Sequence, residues 1–159
     1  MGYGSLMNTA DFMRMFSQEE QKLITKLGNG ICKGHKLAYT YDSIGRSGGV
    51  LDVIKGSEDD YVIGVVNEMP YSLMVREIDV REGHPTLYKR ELINVTINCD
   101  EEVVYCYFVL ENRRNYNEID PHENYHTIVL SGMSENNFPE DYVTRYIEHV
   151  KILNQRSKK

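Results

Sequence analysis

Residues 86–110 read TLYKRELINVTINCDEEVVYCYFVL and carry the clearest strand signal in the chain. Within this stretch, residues 86–97 and 102–110 alternate or run apolar, and both segments are rich in β-branched and aromatic side chains. A short polar link, residues 98–101, separates the two segments. The stretch therefore predicts two antiparallel strands joined as a hairpin.

Further strands are predicted upstream of this hairpin. Alternating apolar and polar residues predict a strand within residues 31–41, and residues 50–54 and 61–67 have the composition of two more. Residues 56–60 form a polar, glycine-containing turn between the last two segments. This arrangement predicts a second hairpin.

The first predicted helix lies close to the start of the chain. Apolar residues within 12–27 recur at spacings of three and four, as on the core-facing side of a helix. Ser17 and Glu20 have the spacing of a capping box, which would restart the helix at that point. Gly28 and Gly30 are expected to end it.

Three later segments are also predicted to be helical. Residues 70–79 begin with a proline, which is tolerated in a first helical turn, and Gly83 is expected to follow the end of this helix. Residues 121–132 and 138–152 show apolar residues at helical spacing. The polar segment 111–123 is predicted to be a surface loop or a flexible crossing.

The order of these elements predicts the fold class. Strands cluster beside helices without a regular alternation of the two, which favours an α+β fold with a mixed or largely antiparallel sheet. The chain has 159 residues, of which 41% are hydrophobic, enough for one core and too few for two comfortable domains. We expect a single domain over residues 1–152 and a polar C-terminal tail over residues 153–159.

The charge distribution narrows the choice of partners. The formal net charge is −6, and lysines and arginines are scattered among carboxylates, which argues against nucleic acid or an anionic membrane as a partner. No apolar run approaches the roughly 20 residues that span a bilayer. Cys32, Cys99 and Cys106 lack metal or disulfide spacing, so reduced thiols are expected. A cytoplasmic protein is the resulting expectation.

Two patterns resemble ligand-binding motifs. Residues 122–126, HENYH, fit the H-E-x-x-H zinc pattern, but they follow Pro121 at an expected helix start and no third ligand is evident. Residues 28–34 and 45–49 are glycine-rich without completing a dinucleotide or phosphate-binding fingerprint. We therefore expect no functional metal and no nucleotide cofactor.

Several short segments, taken together, resemble the gamma-glutamylcyclotransferase family. They appear in that family's order and at similar separations, and together they cover about residues 3 to 150. They are Tyr3-Gly4-Ser5-Leu6, Gly48-Gly49-Val50, Ile63-Gly64-Val65-Val66, Ile78-Asp79-Val80-Arg81-Glu82-Gly83 with Tyr88, Tyr107, and residues 132–139.

The resemblance implies a fold and a set of site residues. The implied fold is a single domain whose sheet closes into a small β-barrel flanked by helices. Glu82 falls on the family's catalytic glutamate, residues 3–6 fall on its substrate loop, and Tyr88 and Tyr107 fall on tyrosines near its pocket. Without the resemblance, Glu82 reads as an exposed residue at a helix end, and the two tyrosines read as core residues.

The implied reaction is the cyclisation of a gamma-glutamyl amide to 5-oxoproline, which releases the free amine and needs no cofactor. The substrate α-amine is protonated at neutral pH, so a base must take a proton before the amine attacks, and the leaving amine must receive one. A glutamate suits both steps if its surroundings raise its pKa. Backbone amides of residues 4–6 would hold either the substrate α-carboxylate or the developing oxyanion.

The sequence leaves other readings open. Leu6 stands where many members of the family carry asparagine, a choice seen in the gamma-glutamylamine and antibiotic-maturation branches, so the identity of the released amine is undecided. A non-catalytic binding or regulatory module of the same fold, and an enzyme that removes a gamma-glutamyl protecting group, are the alternatives. The sequence is equally compatible with a monomer and with a homodimer.

Overall fold

A computed structural model describes residues 1–156. It shows an α+β domain in which every strand pairing is antiparallel, as predicted. The strands are β1 (Thr25–Lys33), β2 (His35–Ser43), β3 (Gly48–Lys55), β4 (Tyr61–Glu68), β5 (Tyr88–Ile97) and β6 (Asp100–Val109). The helices are α1 (Thr9–Met13), α2 (Gln18–Gln21), α3 (Tyr71–Leu73), α4 (Val80–Glu82), α5 (Glu123–Glu135) and α6 (Glu140–Arg156).

The hairpin predicted over residues 86–110 is confirmed as β5 and β6. The two strands pair without interruption from Tyr88↔Val109 to Ile97↔Asp100. Asn98 and Cys99 both adopt left-handed backbone angles in the connecting turn, with φ of 50° and 74°. Such a turn matches the right-handed twist of the strands that it joins.

The predicted hairpin between β3 and β4 is wrong, although both strands exist. The six strands form a 4-stranded sheet in the order β4-β1-β5-β6 and a 2-stranded sheet of β2 and β3. Gly34, between β1 and β2, donates to Asp60 and accepts from Gly56, at 2.7 and 3.0 Å. These bonds hold the β1–β2 turn against the β3–β4 turn. Strand β1 therefore pairs with β4, and β2 pairs with β3.

The helix predicted over residues 12–27 is also corrected, because it is interrupted after α1 and its last three residues, 25–27, belong to strand β1. The capping box is confirmed at Ser17 and Glu20, where it starts the short helix α2. Gly30 lies inside β1, and a Cβ there would come within 2.8 Å of the Val66 side chain on the neighbouring β4. The glycines thus permit close strand packing and do not end a helix.

The segment after β4 is helical through to Glu82, longer than the predicted 70–79. Its middle, Met74–Asp79, has the wider π-helical turn between α3 and α4. Gly83 ends it with a left-handed φ of 64°. This C-cap, which the sequence predicted, fixes the position of Glu82 at the end of the helix.

The sheet does not close into a barrel, contrary to the expectation. Its edge strands are β4 and β6, and only the first two residues stand between them within residues 1–156. The Met1 amino group donates to the Tyr105 carbonyl at 2.5 Å, and Gly2 exchanges two hydrogen bonds with Val65 at 2.9 and 2.7 Å. Closure requires a strand comparable in length to its neighbours, and two residues do not supply one.

The C-terminal half of the chain covers the sheets. The segment predicted to be a surface loop runs along β2, where Ile119 donates to the Tyr39 carbonyl at 2.9 Å and the Glu118 carboxylate accepts from the Tyr39 amide at 2.9 Å.

Helix α6 continues past residue 152 to Arg156, and Leu153 is buried. Ser157–Lys159 of the predicted tail lie outside the described residues. No helix in the described part of the chain is long and apolar enough to cross a membrane.

Candidate active site

One cavity of about 950 Å³ lies where the N-terminal turn, the β2–β3 connection, α4 and β5 meet. All of the residues that the resemblance singled out line its wall, which places side chains from both ends of the sequence together. They are Tyr3, Gly4, Ser5, Leu6, Glu82, Tyr88 and Tyr107.

Glu82 is one of the two acidic residues that line this cavity, the other being Glu77. The Glu82 side chain is only 17% exposed, and the nearest guanidinium, that of Arg81, lies 3.9 Å from its Oε1, too far for a hydrogen bond. Burial raises the pKa of Glu82 to about 7, while the charges of Arg81 and Arg46 act to lower this pKa and that of Asp11 acts to raise it. A pKa near neutrality allows the carboxyl group both to accept and to donate a proton.

The N-terminal turn is held in place by tyrosine hydroxyls. Tyr3 is buried, and its hydroxyl donates to the Tyr107 carbonyl at 2.6 Å. A Cβ on Gly4 would come within 2.8 Å of the Tyr125 hydroxyl, so a larger residue at this position would require Tyr125 to shift. The Tyr125 hydroxyl also accepts from the Leu51 amide at 3.2 Å. The turn is therefore fixed against β3, β6 and α5.

A polar cluster joins this turn to Glu82. The Ser5 hydroxyl accepts from Nη2 of Arg81 at 3.0 Å and from Nη2 of Arg46 at 3.3 Å. Both guanidinium groups also bind the Asp11 carboxylate, and Arg14 binds its other oxygen at 3.0 Å. Burial pushes the pKa of Asp11 upward, but the hydrogen bonds and charges of Arg81 and Arg46 outweigh burial and hold it below its usual value. Asp11 is thus ionised and fixes both arginines.

The two predicted pocket tyrosines differ in what their hydroxyls do. The Tyr107 hydroxyl donates to the Asp79 carboxylate at 2.5 Å, and Arg90 binds the other oxygen of that carboxylate at 2.7 Å. Within residues 1–156, the Tyr88 hydroxyl has no protein hydrogen-bond partner, and its ring contacts Tyr41 edge to face at 6.0 Å. Burial raises the pKa of Tyr88 far above its usual value, so the hydroxyl is a neutral donor. Tyr88 is therefore available to a ligand, whereas Tyr107 supports the wall.

Sequence reasoning missed Asp11, Arg46, Arg81 and Tyr125. Arg46 lies in a segment that the sequence analysis interprets as a glycine-rich turn, and its partners Ser5 and Asp11 lie 41 and 35 residues away. Tyr125 lies inside the H-E-x-x-H segment, which drew attention to its histidines. The position of Arg81, directly before the predicted catalytic residue, was the one usable signal.

The histidines of the H-E-x-x-H pattern have other partners. His122 caps helix α5 by accepting from the Asn124 amide at 3.2 Å, and Nδ1 of His126 lies 3.0 Å from the Tyr146 hydroxyl. No group of three histidine, cysteine or acidic side chains able to hold a metal occurs in residues 1–156. That this pattern binds no functional metal stays a prediction.

Known structures share this fold over nearly the whole chain. A solved gamma-glutamyl cyclotransferase is 22% identical, with a TM-score of 0.75 over 91% of this chain and 82% of its own. The human protein loc79017 gives the same values. YkqA from Bacillus subtilis is 20% identical with a TM-score of 0.80 over 94% of this chain, which spans only 52% of YkqA. No curated protein sequence matches the chain.

The fold is therefore that of the gamma-glutamylcyclotransferase-like domains. The sequence itself gives a narrower assignment, because the AIG2-like family matches residues 61–146, more than half of the chain. The protein belongs to the AIG2-like family.

Proposed function

We propose that the protein is a gamma-glutamylcyclotransferase-type enzyme, which converts a gamma-glutamyl amide to 5-oxoproline and releases the free amine. One observation carries this proposal: the Glu82 carboxyl group has a pKa of about 7 and lines the same cavity as the glycine-serine turn. The similarity to a solved gamma-glutamyl cyclotransferase supports the same reaction class.

Glu82 has the acid–base properties that the cyclisation needs. Its ionised form takes a proton from the substrate α-ammonium, and the freed amine attacks the γ-carbonyl carbon to form the five-membered lactam. The C–N bond to the leaving amine then breaks. That nitrogen receives the proton from Glu82 and also the second proton that the attacking nitrogen loses as it becomes the lactam N–H, so the amine leaves as an ammonium ion. The glutamate ends in its starting state, and the reaction is redox-neutral.

The rest of the cavity orients the glutamyl part of the substrate. The chain from the α-carbon to the γ-carbonyl must fold back on itself, and a wall that fixes this conformation raises the effective concentration of the amine. The backbone amides of residues 4–6 are suited to the α-carboxylate or to the developing oxyanion. The Tyr88 hydroxyl supplies a further hydrogen-bond donor at the same wall.

Release of 5-oxoproline from a substrate panel tests the proposal. Purified protein would be incubated with gamma-glutamyl amino acids, gamma-glutamylamines and glutathione, and both products would be quantified by mass spectrometry. We expect equal amounts of 5-oxoproline and free amine from at least one class. Binding of these compounds without release of either product would show a non-catalytic binding module and contradict the proposal.

A further inference from the structure

Helix α1 holds Asp11 just behind the cavity wall, where it does not itself line the cavity. The Asn8 side chain caps this helix by accepting from the Asp11 amide at 2.8 Å, and it donates to the Glu135 carboxylate on α5 at 2.8 Å. The Asp11 side chain is only 10% exposed. Its carboxylate therefore has a defined position, fixed by the contact between α1 and α5.

Two arginines of the cavity wall are bound to this carboxylate. Nη1 of Arg81 donates to the main-chain carbonyl of Asp11 at 2.9 Å, and Nη2 of Arg81 binds Oδ2 of its carboxylate. Nη2 of Arg46 binds the same Oδ2 atom at 2.8 Å. Hydrogen bonds between charged groups are among the strongest that side chains form, so these contacts orient both guanidinium groups toward α1.

The Glu82 carboxylate, by contrast, forms no hydrogen bond with any group in residues 1–156. The nearest guanidinium nitrogen is Nε of Arg81, at 3.9 Å from Oε1. An approach of about 1 Å would make this contact a charge-assisted hydrogen bond. Arg81 directly precedes Glu82 in α4, and both of its Nη groups are bound elsewhere, to Asp11 and Ser5.

Few charged groups act on Glu82. They are Arg81 on its own helix, Arg46 on the β2–β3 connection and Asp11 on α1. The other titratable groups that face it are three hydroxyls, those of Tyr3, Tyr88 and Tyr125. Burial raises the pKa of all three tyrosines, so they are neutral. The ionisation of Glu82 therefore depends on how firmly Asp11 holds the two arginines.

We propose that Asp11 is a positioning residue: it holds the two arginines away from Glu82, so that this carboxylate stays unpaired and able to take a proton. This inference rests on the proposed function. An ion pair with Arg81 would stabilise the charged form of Glu82 and make it a weaker base. Asp11 does not line the cavity, so it acts on the reaction only through the groups that it binds and through its charge.

Asp11→Asn is the test variant, because asparagine keeps the size of the side chain and removes its charge. Arg81 should then pair with Glu82, so the acidic limb of kcat/KM should move to lower pH by about one unit or more. The plateau above that limb should fall, because the base is weaker. Asp11→Ser removes the same charge from a smaller side chain and should give the same shift if Asp11→Asn does not fold.

Two further variants serve as controls for the lost charge. Asp11→Glu keeps the charge and should return the limb most of the way to its position in the unmodified protein. Asp141→Asn is the matched remote substitution, since Asp141 is exposed on α6 and its carboxylate lies 3.6 Å from Arg145. Asp141→Asn should leave the limb in place.

Arg81→Gln identifies the group through which Asp11 acts. With Arg81 replaced, the guanidinium next to Glu82 is gone, so adding Asp11→Asn should move the limb by less than about half of the shift that it causes alone. A merely structural role of Asp11 would lower Tm or activity without this dependence on Arg81.

The ionisation of Glu82 can also be followed without turnover. In protein labelled with ¹³C at the glutamate carboxyl carbons, the resonance that is missing from Glu82→Gln belongs to Glu82. The midpoint of its pH titration should move to lower pH in Asp11→Asn and stay in place in Asp141→Asn. Dispersed signals in the same spectra verify that each variant is folded.

The two readouts separate this inference from the proposed function. A lower midpoint in Asp11→Asn, with a limb that moves in parallel and depends on Arg81, would support the positioning role. A midpoint that stays in place or rises would overturn that role, whether or not the protein releases 5-oxoproline. A midpoint that moves as expected in a protein that releases no 5-oxoproline would overturn the proposed function and leave the effect of Asp11 on Glu82 standing.

Discussion

The Tyr3 hydroxyl donates a 2.6 Å hydrogen bond to the carbonyl oxygen of Tyr107. This bond links the N-terminal turn to strand β6 across 104 residues of sequence. The oxygen of Tyr3 therefore serves the architecture of the cavity wall. The oxygen of Tyr88, which has no protein partner within residues 1–156, is instead available to a ligand.

Removing each hydroxyl separates these two roles. Tyr3→Phe leaves a buried carbonyl without its partner and should lower the free energy of unfolding by about 1 kcal/mol, measured by denaturant titration. Tyr88→Phe should leave that free energy nearly unchanged and raise KM for the substrate. The opposite pattern, with stability lost in Tyr88→Phe and unaffected in Tyr3→Phe, would show that the two oxygens have been assigned the wrong way round.

Glu82→Gln tests the proton transfer. Glutamine keeps the size and much of the hydrogen bonding but accepts no proton, so kcat should fall by about a hundredfold or more, the usual scale for a general base. Substrate binding should largely survive. Glu91→Gln is the control, since Glu91 is exposed on β5 and pairs with Lys89 at 2.7 Å. Turnover by Glu82→Gln near that of the unmodified protein would show that another group acts as the base.

The pH dependence of activity should report the ionisation of Glu82. With a pKa of about 7, the carboxylate that acts as base is lost below neutrality. We expect kcat/KM to fall about tenfold per pH unit well below that pKa. Because Arg46 acts to lower the pKa of Glu82, Arg46→Gln should shift this limb to higher pH. A limb that stays in place in the variant would contradict this electrostatic coupling.

The same pKa predicts a dependence of stability on pH. The pKa of Glu82 is raised from an ordinary value of 4.5 to about 7, so the folded protein holds this proton more tightly than the unfolded chain does. The resulting stabilisation is complete below pH 4.5 and is lost as the pH rises through about 7. Glu82→Gln should therefore match the unmodified protein in Tm near pH 5 and exceed it at about pH 8. Equal Tm values for Glu82→Gln and the unmodified protein at both pH values would contradict the raised pKa of Glu82.

The gap between β4 and β6 predicts the effect of an added strand. Gly2 pairs antiparallel with Val65, so residues placed ahead of Met1 would run along β4 past Asn67 and along β6 toward Val103. An apolar, β-branched extension of about five residues, a usual strand length, should raise Tm by pairing both edges. A glycine-serine extension of equal length is the control. Equal Tm values for the two extended proteins would count against pairing.

The sequence predicted those structural features whose interacting residues lie close together in the chain. The capping box at Ser17 and the helix end at Gly83 were readable because their partners lie within a few residues. The start of β1 was wrongly predicted as helix because Leu27 continues the helical spacing of the apolar residues before it. Gly30, inside that strand, is explained only by its contact with Val66, which no local pattern reveals.

In the candidate site, too, some residues were identified from the sequence and others were not. Glu82 and the glycine-serine turn were identified by resemblance to a family, not by their own neighbours in the sequence. The Asp11 cluster was not identified, because Arg46 and Arg81 lie 35 and 70 residues away from Asp11. Such partners come together only in the folded domain, so the spacing of charged residues along the sequence does not predict these ion pairs.

The cavity wall combines residues 1–6 with parts of β2, β3, α4, β5, β6 and α5. These lining residues are spread from Met1 to Tyr125, so the binding surface exists only while most of the domain is folded. Occupancy of the cavity and global unfolding are then linked equilibria, and a ligand specific for the folded state draws the population away from the unfolded one. Removal of the first few residues would remove the hydrogen bond between Tyr3 and β6. It would therefore lower both the affinity for a ligand and the free energy of unfolding.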